Sequence, residues 1–196
     1  CGLATPQTLP ARERRAGFGE LWKYALLDGP AMWRAVDACT GWATAGGAPP
    51  PALREVIERA IAYKAAIVGR DEAERTGQRA LLNLGHTVGH AIEAEAGLHH
   101  GEAVGLGLVA ACRVSAALGR CDPQLEAEVV AALRRTGLPA DLDPYLRDAV
   151  LDRIRVDKKR TADRVRFLVV GEVGSCEPYD IAVDELGRIL RPASRS

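Results

Sequence analysis

All four histidines of the chain lie within fifteen residues, from His86 to His100. His86 and His90 are four residues apart, and on a helix this spacing places both imidazoles on one face. His99 and His100 follow Gly97, a residue type that commonly ends a helix and turns the chain back. A helix, a turn and a second histidine pair would bring several imidazoles to one point, and imidazole is a preferred ligand of zinc. The stretch therefore predicts a metal site.

The simplest ligand set takes His86 and His90 as a pair from one helix face. The alternative is that both side chains are satisfied by water or by backbone groups. The second histidine pair just downstream makes this alternative the weaker one. Glu93 and Glu95 lie nearby, but we expect their spacing from His86 to place them on other faces of the helix.

A charged pair at helical spacing lies near the start of the chain. Glu20 and Lys23 are three residues apart, so they share one face of a predicted helix. An exposed ion pair is the ordinary outcome of this spacing, and such pairs contribute little to stability. The surrounding apolar residues favour instead a helix that is packed on several sides: Phe18, Leu21, Trp22 and Tyr24.

A polar stripe is predicted along the histidine segment. Its members follow one another at steps of four, three and four residues: Arg79, Asn83, His86 and His90. Such residues do not form a core stripe, and apolar residues cover the other faces, so we predict a pocket wall rather than a solvated face. Lys64 is grouped with Arg79 and Asn83, and the guanidinium of Arg79 offers a two-pronged fork for a carboxylate or phosphate.

The run Asp157-Lys158-Lys159-Arg160 permits two interpretations. It is a solvated basic surface, or one of its lysines reaches into an anion site. Elsewhere the sequence contains no G-x-G-x-x-G, no Walker lysine loop and no G-x-S-x-G elbow. The sequence therefore predicts no nucleotide-binding β-α-β unit in this chain.

The composition limits the classes of function. The 196 residues include 26 basic and 26 acidic side chains, so the formal net charge is zero. Nucleic-acid binders usually carry a basic excess, and we therefore expect no nucleic-acid partner. We also expect no membrane association, because no apolar run is long enough for a span and no signal-peptide pattern is seen. Five scattered cysteines without a C-x-x-C pair favour reduced thiols and a cytoplasmic location.

The predicted fold class is mainly α, as one helical domain with a small β-hairpin near the C-terminus. The abundance of Ala, Leu and Arg favours helices. Residues 40–51 and 71–77 are predicted to be a loop and a linker, and residues 165–170 form a strand that turns into a hairpin at 171–174. Periodicity predicts the helices over residues 11–27, 30–39, 51–69, 78–96, 101–118, 122–135, 142–156 and 182–190.

These motifs resemble those of one enzyme family. The segment LLNLGHTVGHAIE at 81–93, followed by HGEAV at 100–104, strongly resembles 3-dehydroquinate synthase. This histidine motif is highly specific, and the resemblance extends over nearly all of the chain. The remaining pieces are weaker but occur in the family's order: LPARE at 9–13, ELWKY at 20–24, Lys64, Arg79 and DKK at 157–159.

The resemblance implies the C-terminal half of such an enzyme. Residues 1–196 would form the metal- and substrate-binding domain, and the family's N-terminal NAD-binding domain would be absent from this chain. Members of the family convert a sugar-acid phosphate, 3-deoxy-arabino-heptulosonate 7-phosphate, into 3-dehydroquinate and phosphate in the shikimate pathway. They use NAD and a divalent metal, usually zinc or cobalt, and they tend to form homodimers.

The resemblance also implies roles for individual residues. Glu20, His86 and His100 would hold the metal, whereas His90 would face the substrate and its phosphate. This assignment disagrees at His90 with the helix-pair interpretation, and we follow the resemblance. One lysine of the basic run would contact the phosphate, with Lys158 favoured over Lys159. The residues implied to contact the substrate are Lys23, Lys64, Arg79 and Asn83.

Two other functions stay open at this point. Related cyclases make aminocyclitol precursors from sugar phosphates that lack a carboxylate. Arg79 argues against them, because a guanidinium fork suits a carboxylate. The second alternative is a non-catalytic metal-binding fragment, since the NAD-binding half would be absent.

Overall fold

The computed structural model describes residues 9–70, 78–159 and 163–191, with side chains described to residue 155 in the second range. Within these ranges the fold is mainly helical with one antiparallel hairpin, as predicted. Two 3-10 segments, Gln78–Asn83 and Asp143–Tyr145, and a hairpin of β1 (Arg164–Glu172) and β2 (Ser175–Ala182) accompany the helices. The helices are α1 (Ala11–Asp28), α2 (Pro30–Asp37), α3 (Thr40–Ala45), α4 (Pro51–Arg70), α5 (His86–Ala96), α6 (His100–Ala117), α7 (Gln124–Thr136), α8 (Asp148–Lys159) and α9 (Val183–Leu190).

Helix α6 is the centre of the core. Its sequence is apolar on nearly every side, and fourteen of its residues are buried, which is the behaviour expected of a helix without a polar face. It packs against α1, α5, α7, α9 and β1. Gly19 of α1 approaches Gly101, and Gly89 of α5 approaches Ala103, so three helices meet at the start of α6.

The hairpin closes one side of this core. Its register pairs Val165 with Ile181 and Phe167 with Tyr179. The hydroxyl of Ser115, in the buried part of α6, accepts a 2.8 Å hydrogen bond from the backbone N–H of Val170. This bond fixes β1 against α6, so the side chains on β1 have a defined position relative to the helices.

The predicted helix over residues 78–96 is wrong as a single element. A 3-10 turn occupies Gln78–Asn83, and α5 begins only at His86. Between them Gly85 has a φ of 77°, in the left-handed region that favours glycine. The break brings the backbone into contact with α6, because a Cβ on Gly107 would lie 1.8 Å from the Gly85 carbonyl oxygen.

Two other boundaries differ from prediction. The predicted loop 40–51 contains α3, because Trp42 and Ala43 pack into the core and the Thr40 hydroxyl bonds the Asp37 carbonyl oxygen. The predicted helix 142–156 begins later, at Asp148. The 3-10 turn before it contains Pro144, which has no N–H to donate. The predicted linker 71–77 lies outside the described residues.

Cys39, Cys112, Cys121 and Cys176 are free thiols, and Cys1 lies outside the described residues. Among the described residues, no helix combines the length and the apolar character that crossing a bilayer requires.

Candidate metal and substrate site

Three side chains from three helices converge at the start of α6. They are Glu20 of α1, His86 at the start of α5 and His100 at the start of α6. One potential ligand atom from each lies within 4.8 Å of the other two. Glu20 Oε1 is 3.5 Å from His86 Nε2 and 3.3 Å from His100 Nε2. Two imidazoles and one carboxylate form the donor set of many catalytic zinc sites.

Close contact between α1 and α6 brings this carboxylate to the histidines. A Cβ on Gly19 would lie 1.9 Å from the Gly101 carbonyl oxygen, and one on Gly101 would lie 1.7 Å from the Ala16 carbonyl oxygen. Only residues without a side chain permit backbones this close. Gly19 and Gly101 are the chain neighbours of Glu20 and His100. The helix contact and the convergence of the two side chains therefore have the same cause.

Hydrogen bonds on the far side of each imidazole determine which nitrogen faces Glu20. His86 Nδ1 lies 3.0 Å from the Leu84 carbonyl oxygen, which only accepts hydrogen bonds. His100 Nδ1 lies 3.0 Å from Glu93 Oε2. In each neutral ring the proton is therefore on Nδ1, and the lone pair of Nε2 points towards Glu20. This is the tautomer that a metal ligand requires.

The carboxylate of Glu20 has one satisfied and one unsatisfied oxygen. Oε2 receives the Lys23 ammonium at 2.6 Å, whereas Oε1 is buried and accepts no hydrogen bond from the described residues. Burial acts to raise the pKa of Glu20, but Lys23, and then His86 and His100, outweigh it and lower that pKa. Burial is the largest cause that lowers the pKa of His86. The ionised carboxylate and neutral imidazole are thus both favoured.

These residues fit a divalent cation. A buried carboxylate oxygen that faces two imidazole lone pairs is a repulsive arrangement unless a cation lies between them. In tetrahedral coordination with bonds of about 2.0–2.2 Å, ligand atoms are separated by about 3.3–3.6 Å. The separations of 3.5 Å and 3.3 Å around Glu20 Oε1 agree with that value.

A second donor set shares one histidine with the first. Atoms of His90, Glu93 and His100 also lie within 4.8 Å of one another. In this set Glu93 already accepts the hydrogen bond of His100 Nδ1, and the ring of His90 is exposed. The set that contains Glu20 has the buried unsatisfied oxygen, so it is the better candidate. Within the described residues, neither set contains His86 and His90 together.

The expectation that Glu93 lies on another helix face than His86 is wrong. A separation of seven residues is close to two full turns, so Glu93 returns to the face of His86. It reaches over the end of α5 to His100. The spacing alone could have identified this residue.

Two adjoining cavities extend from the donor set, with volumes of about 760 Å³ and about 910 Å³. The smaller contains both histidines of the candidate metal site and, on its wall, four residues with an implied substrate role: Lys23, Lys64, Arg79 and Asn83. The larger is lined by His90, with Asn83 and His86 shared between the two. The side chain of Lys158, and that of Lys159, lies outside the described residues.

The residues of the predicted pocket wall do line the cavities. They do not belong to the single helix that was predicted to carry them. Arg79 and Asn83 belong to the 3-10 turn, and His86 and His90 belong to α5. The packed environment predicted around the Glu20–Lys23 pair is also observed, because Lys23 is only 4% exposed. Its ammonium lies 4.7 Å from the centre of the Tyr24 ring.

Comparison with known proteins identifies the family. The family described as 3-dehydroquinate synthase C-terminal matches residues 17–160. The chain belongs to this family. It is 43% identical over 182 residues to 3-dehydroquinate synthase of Xanthomonas oryzae pv. oryzae PXO99A, covering 88% of this chain and 48% of that protein. The Lactiplantibacillus plantarum enzyme is 40% identical over 181 residues, covering 91% of this chain and 49% of its own length. The chain thus spans about half of these relatives.

Two other synthases of known structure share the fold. The 2-epi-5-epi-valiolone synthase ValA of Streptomyces hygroscopicus, with NAD+ and Zn2+ bound, gives a TM-score of 0.81 at 21% identity, covering 96% of this chain and 53% of that one. A 2-deoxy-scyllo-inosose synthase in complex with carbaglucose-6-phosphate, NAD+ and Co2+ gives 0.76, also at 21% identity, over 94% of this chain and 52% of its own. At this identity the likeness concerns the fold alone. The named relatives are enzymes.

An ion-pair network supports the start of α6. Arg12 Nε and Nη2 donate to the two carboxylate oxygens of Glu102 at 2.9 and 2.7 Å. Glu102 Oε2 also accepts the backbone N–H of His99 at 2.9 Å. Arg12 lowers the pKa of Glu102, and it does so against the effect of burial. Neither Arg12 nor Glu102 was predicted to have this role, because the two residues are ninety positions apart and no local spacing links them.

Two cavity-lining cations were also missed. Arg153 of α8 lines the larger cavity and pairs with Glu95 at 2.7 Å. Arg166 of β1 lines both cavities. Neither belongs to a spaced motif, and both reach the site through tertiary packing. No signal in the sequence alone could have selected them.

Proposed function

We propose that this chain is the metal- and substrate-binding half of a 3-dehydroquinate synthase. The reaction would be the conversion of 3-deoxy-arabino-heptulosonate 7-phosphate into 3-dehydroquinate with loss of phosphate, catalysed by a carbon–oxygen lyase. The observation that carries the proposal is the convergence of Glu20, His86 and His100 around an unsatisfied carboxylate oxygen. The family match to residues 17–160 supplies the context.

Glu20, His86 and His100 would hold a zinc or cobalt ion, and an open coordination position would face the smaller cavity. Bound there, the ion would supply a Lewis acid for a substrate hydroxyl. NAD, bound by the other half of the complete enzyme, would supply reversible hydride transfer. Lys23 would keep Glu20 ionised and oriented, because its ammonium bonds the oxygen that the ion does not use.

The wall of the smaller cavity would bind the substrate's carboxylate and hydroxyl groups. Arg79 offers two parallel donors, a geometry that suits a carboxylate. Lys64 and Asn83 line the same cavity and would add a charge and an amide. Several fixed contacts hold a flexible sugar acid in one orientation, and the resulting loss of freedom lowers the barrier of an intramolecular step.

The larger cavity would receive the phosphate end. His90 lines it beside Asn83, and α8, which carries the backbone of Lys158, forms part of its wall. We propose that His90 and Lys158 donate hydrogen bonds to phosphate oxygens. These residues would hold the group until it leaves.

The cyclases that act on sugar phosphates without a carboxylate remain the alternative that needs a test. The two solved neighbours have such names, but they are only 21% identical to this chain. The two curated relatives at 43% and 40% identity are 3-dehydroquinate synthases. Arg79 in the cavity favours the acid substrate. The non-catalytic alternative is not favoured by any observation at the site.

The test is a metal titration of this chain, followed by turnover of the complete enzyme. Cobalt should bind in a one-to-one ratio and give the intense visible spectrum of a low-coordinate site. His86→Gln should abolish it, whereas His99→Gln should not, because His99 pairs with Glu13 instead. Cobalt binding that survives His86→Gln would refute the site. Turnover of a sugar phosphate without a carboxylate, rather than of the heptulosonate phosphate, would refute the assigned reaction.

A further inference from the structure

Arg166 is a cationic residue of the two cavities to which the proposed function assigns no contact with the substrate. It lies on β1 and lines both cavities, at their junction with Ala80, Asn83 and His86. Its side chain is exposed to this space rather than packed in the core.

The surroundings of Arg166 contain a carboxylate that it does not use. In the hairpin register Arg166 lies directly opposite Asp180. Side chains at such positions are on the same face, with Cβ atoms about 4.5–5.5 Å apart, and opposite charges there normally attract. Yet no ion pair joins Arg166 to Asp180 or to any other acidic residue in the part of the chain that the structure describes. Arg153, on the same cavity, is paired with Glu95.

The charge balance of the smaller cavity points to an anion. Lys23 is neutralised by Glu20 at 2.6 Å. Lys64 and Arg166 also lie on its wall, and Glu20 is the only carboxylate among the described residues of that wall. A divalent ion at Glu20 would add further positive charge. Clustered cations repel one another, so this arrangement is stabilised when a multiply charged anion enters.

We propose that Arg166 binds an oxyanion of the substrate, a phosphate or a carboxylate, at the junction of the two cavities. The guanidinium fork matches either group through two charge-assisted hydrogen bonds. Arg166 would thereby fix how the ligand spans the two spaces, with its metal-facing part in the smaller cavity. This inference rests on the proposed function, because that function supplies a ligand with an anion at each end.

The experiment measures binding of two probes to the metal-loaded chain by calorimetry. Inorganic phosphate represents one end of the substrate, and quinate, a cyclic hydroxy acid without phosphate, represents the other. Arg166→Met removes the charge but keeps the length of the side chain. Arg164→Met is the matched control, because Arg164 lies two residues earlier on β1, bonds the Asp180 carbonyl oxygen and lines neither cavity.

Loss of a charge-assisted contact should weaken one probe about ten- to a hundredfold in Arg166→Met, with Arg164→Met unchanged. Weaker phosphate binding alone would assign Arg166 to the phosphate, and weaker quinate binding alone would assign it to the carboxylate. Unchanged affinity for both probes, or a wild-type chain that binds neither, would overturn the inference. Cobalt binding and thermal unfolding of each variant identify a misfolded protein. They also keep the two proposals separate, because failure to bind cobalt counts against the metal site and not against Arg166.

Discussion

Replacement of Glu93 tests whether the candidate metal site depends on a residue that would not touch the ion. Glu93 Oε2 lies 3.0 Å from His100 Nδ1, so the carboxylate fixes both the ring orientation and the tautomer of His100. Loss of such a partner typically weakens metal affinity by about 10–100-fold. The side chains of Glu93 and His100 are 35% and 46% exposed, and water replaces part of the lost contact. We therefore expect the lower end of that range.

The substitutions Glu93→Gln and Glu93→Ala separate charge from contact. Glutamine keeps an oxygen that can accept the Nδ1 hydrogen bond but loses the negative charge, so we expect a loss of a few-fold to about tenfold. Alanine removes both, and its loss should be larger. Glu95→Gln is the control, because Glu95 lies on the same helix and pairs with Arg153 rather than with a histidine. Competition of the apo-protein with a chelator for cobalt gives the affinities.

The result also decides between the two donor sets that share His100. If Glu93 acts through His100, His90→Gln should leave cobalt affinity nearly unchanged and His86→Gln should abolish it. If the ion is instead held by His90, Glu93 and His100, the effects of these two histidine substitutions will be reversed. Equal affinities for Glu93→Gln and Glu95→Gln would show that His100 is oriented without Glu93, and the reasoning from the 3.0 Å contact would be wrong.

Three further predictions address helix contact, substrate and pH. Gly19→Ala should destabilise the protein by about 1–3 kcal/mol or more and weaken cobalt binding, because its Cβ would lie 1.9 Å from the Gly101 carbonyl oxygen. Urea unfolding measures the loss of stability. Gly17→Ala is the control and should be neutral or stabilising, because a Cβ on Gly17 would have no neighbouring atom within 4 Å. In the complete enzyme, Arg79→Lys should lower kcat/KM for the heptulosonate phosphate about ten- to a hundredfold, because lysine keeps the charge but loses the planar pair of donors. An unchanged kcat/KM would show that Arg79 does not bind the substrate carboxylate. Arg12 lowers the pKa of Glu102, so Arg12→Gln should lower the melting temperature at pH 7. The difference from wild type should shrink as the pH falls below about 4, because Glu102 then becomes protonated and loses its attraction to Arg12. A difference in melting temperature that does not depend on pH would contradict this.

The sequence predicted those features that depend on residues close to one another along the chain. The spacing of the histidines predicted a metal site, and the resemblance to a family implied its ligands. A three-residue step predicted that Glu20 and Lys23 share one helix face, and the flanking apolar residues predicted that this helix is packed. The helical fold and the late hairpin followed from periodicity and composition. In each case the relevant residues are close in sequence, so that one element, or two elements joined by a short turn, determines their relative position.

The errors at the site occurred where the backbone departs from one regular helix. An uninterrupted helix over 78–96 was expected because nothing in the local pattern requires Gly85 to be left-handed. The close backbone contact with Gly107, which lies more than twenty residues away, is a tertiary feature. The contribution of Arg166 was likewise invisible, because it depends on how β1 packs beside the 3-10 turn.

The role of the glycines follows from the same long-range contacts. Glu20 and His100 are eighty residues apart, and only helix packing brings them together. A fixed distance between the ligands requires a fixed distance between the two backbones, and the backbones come closest where neither helix has a side chain. Gly19 and Gly101 meet at that point, next to Glu20 and His100. The donor geometry is therefore determined by residues that carry no donor. A larger residue at either glycine would separate the ligands without changing any of them, so we expect the metal affinity to respond to Gly19→Ala even if the folded protein persists.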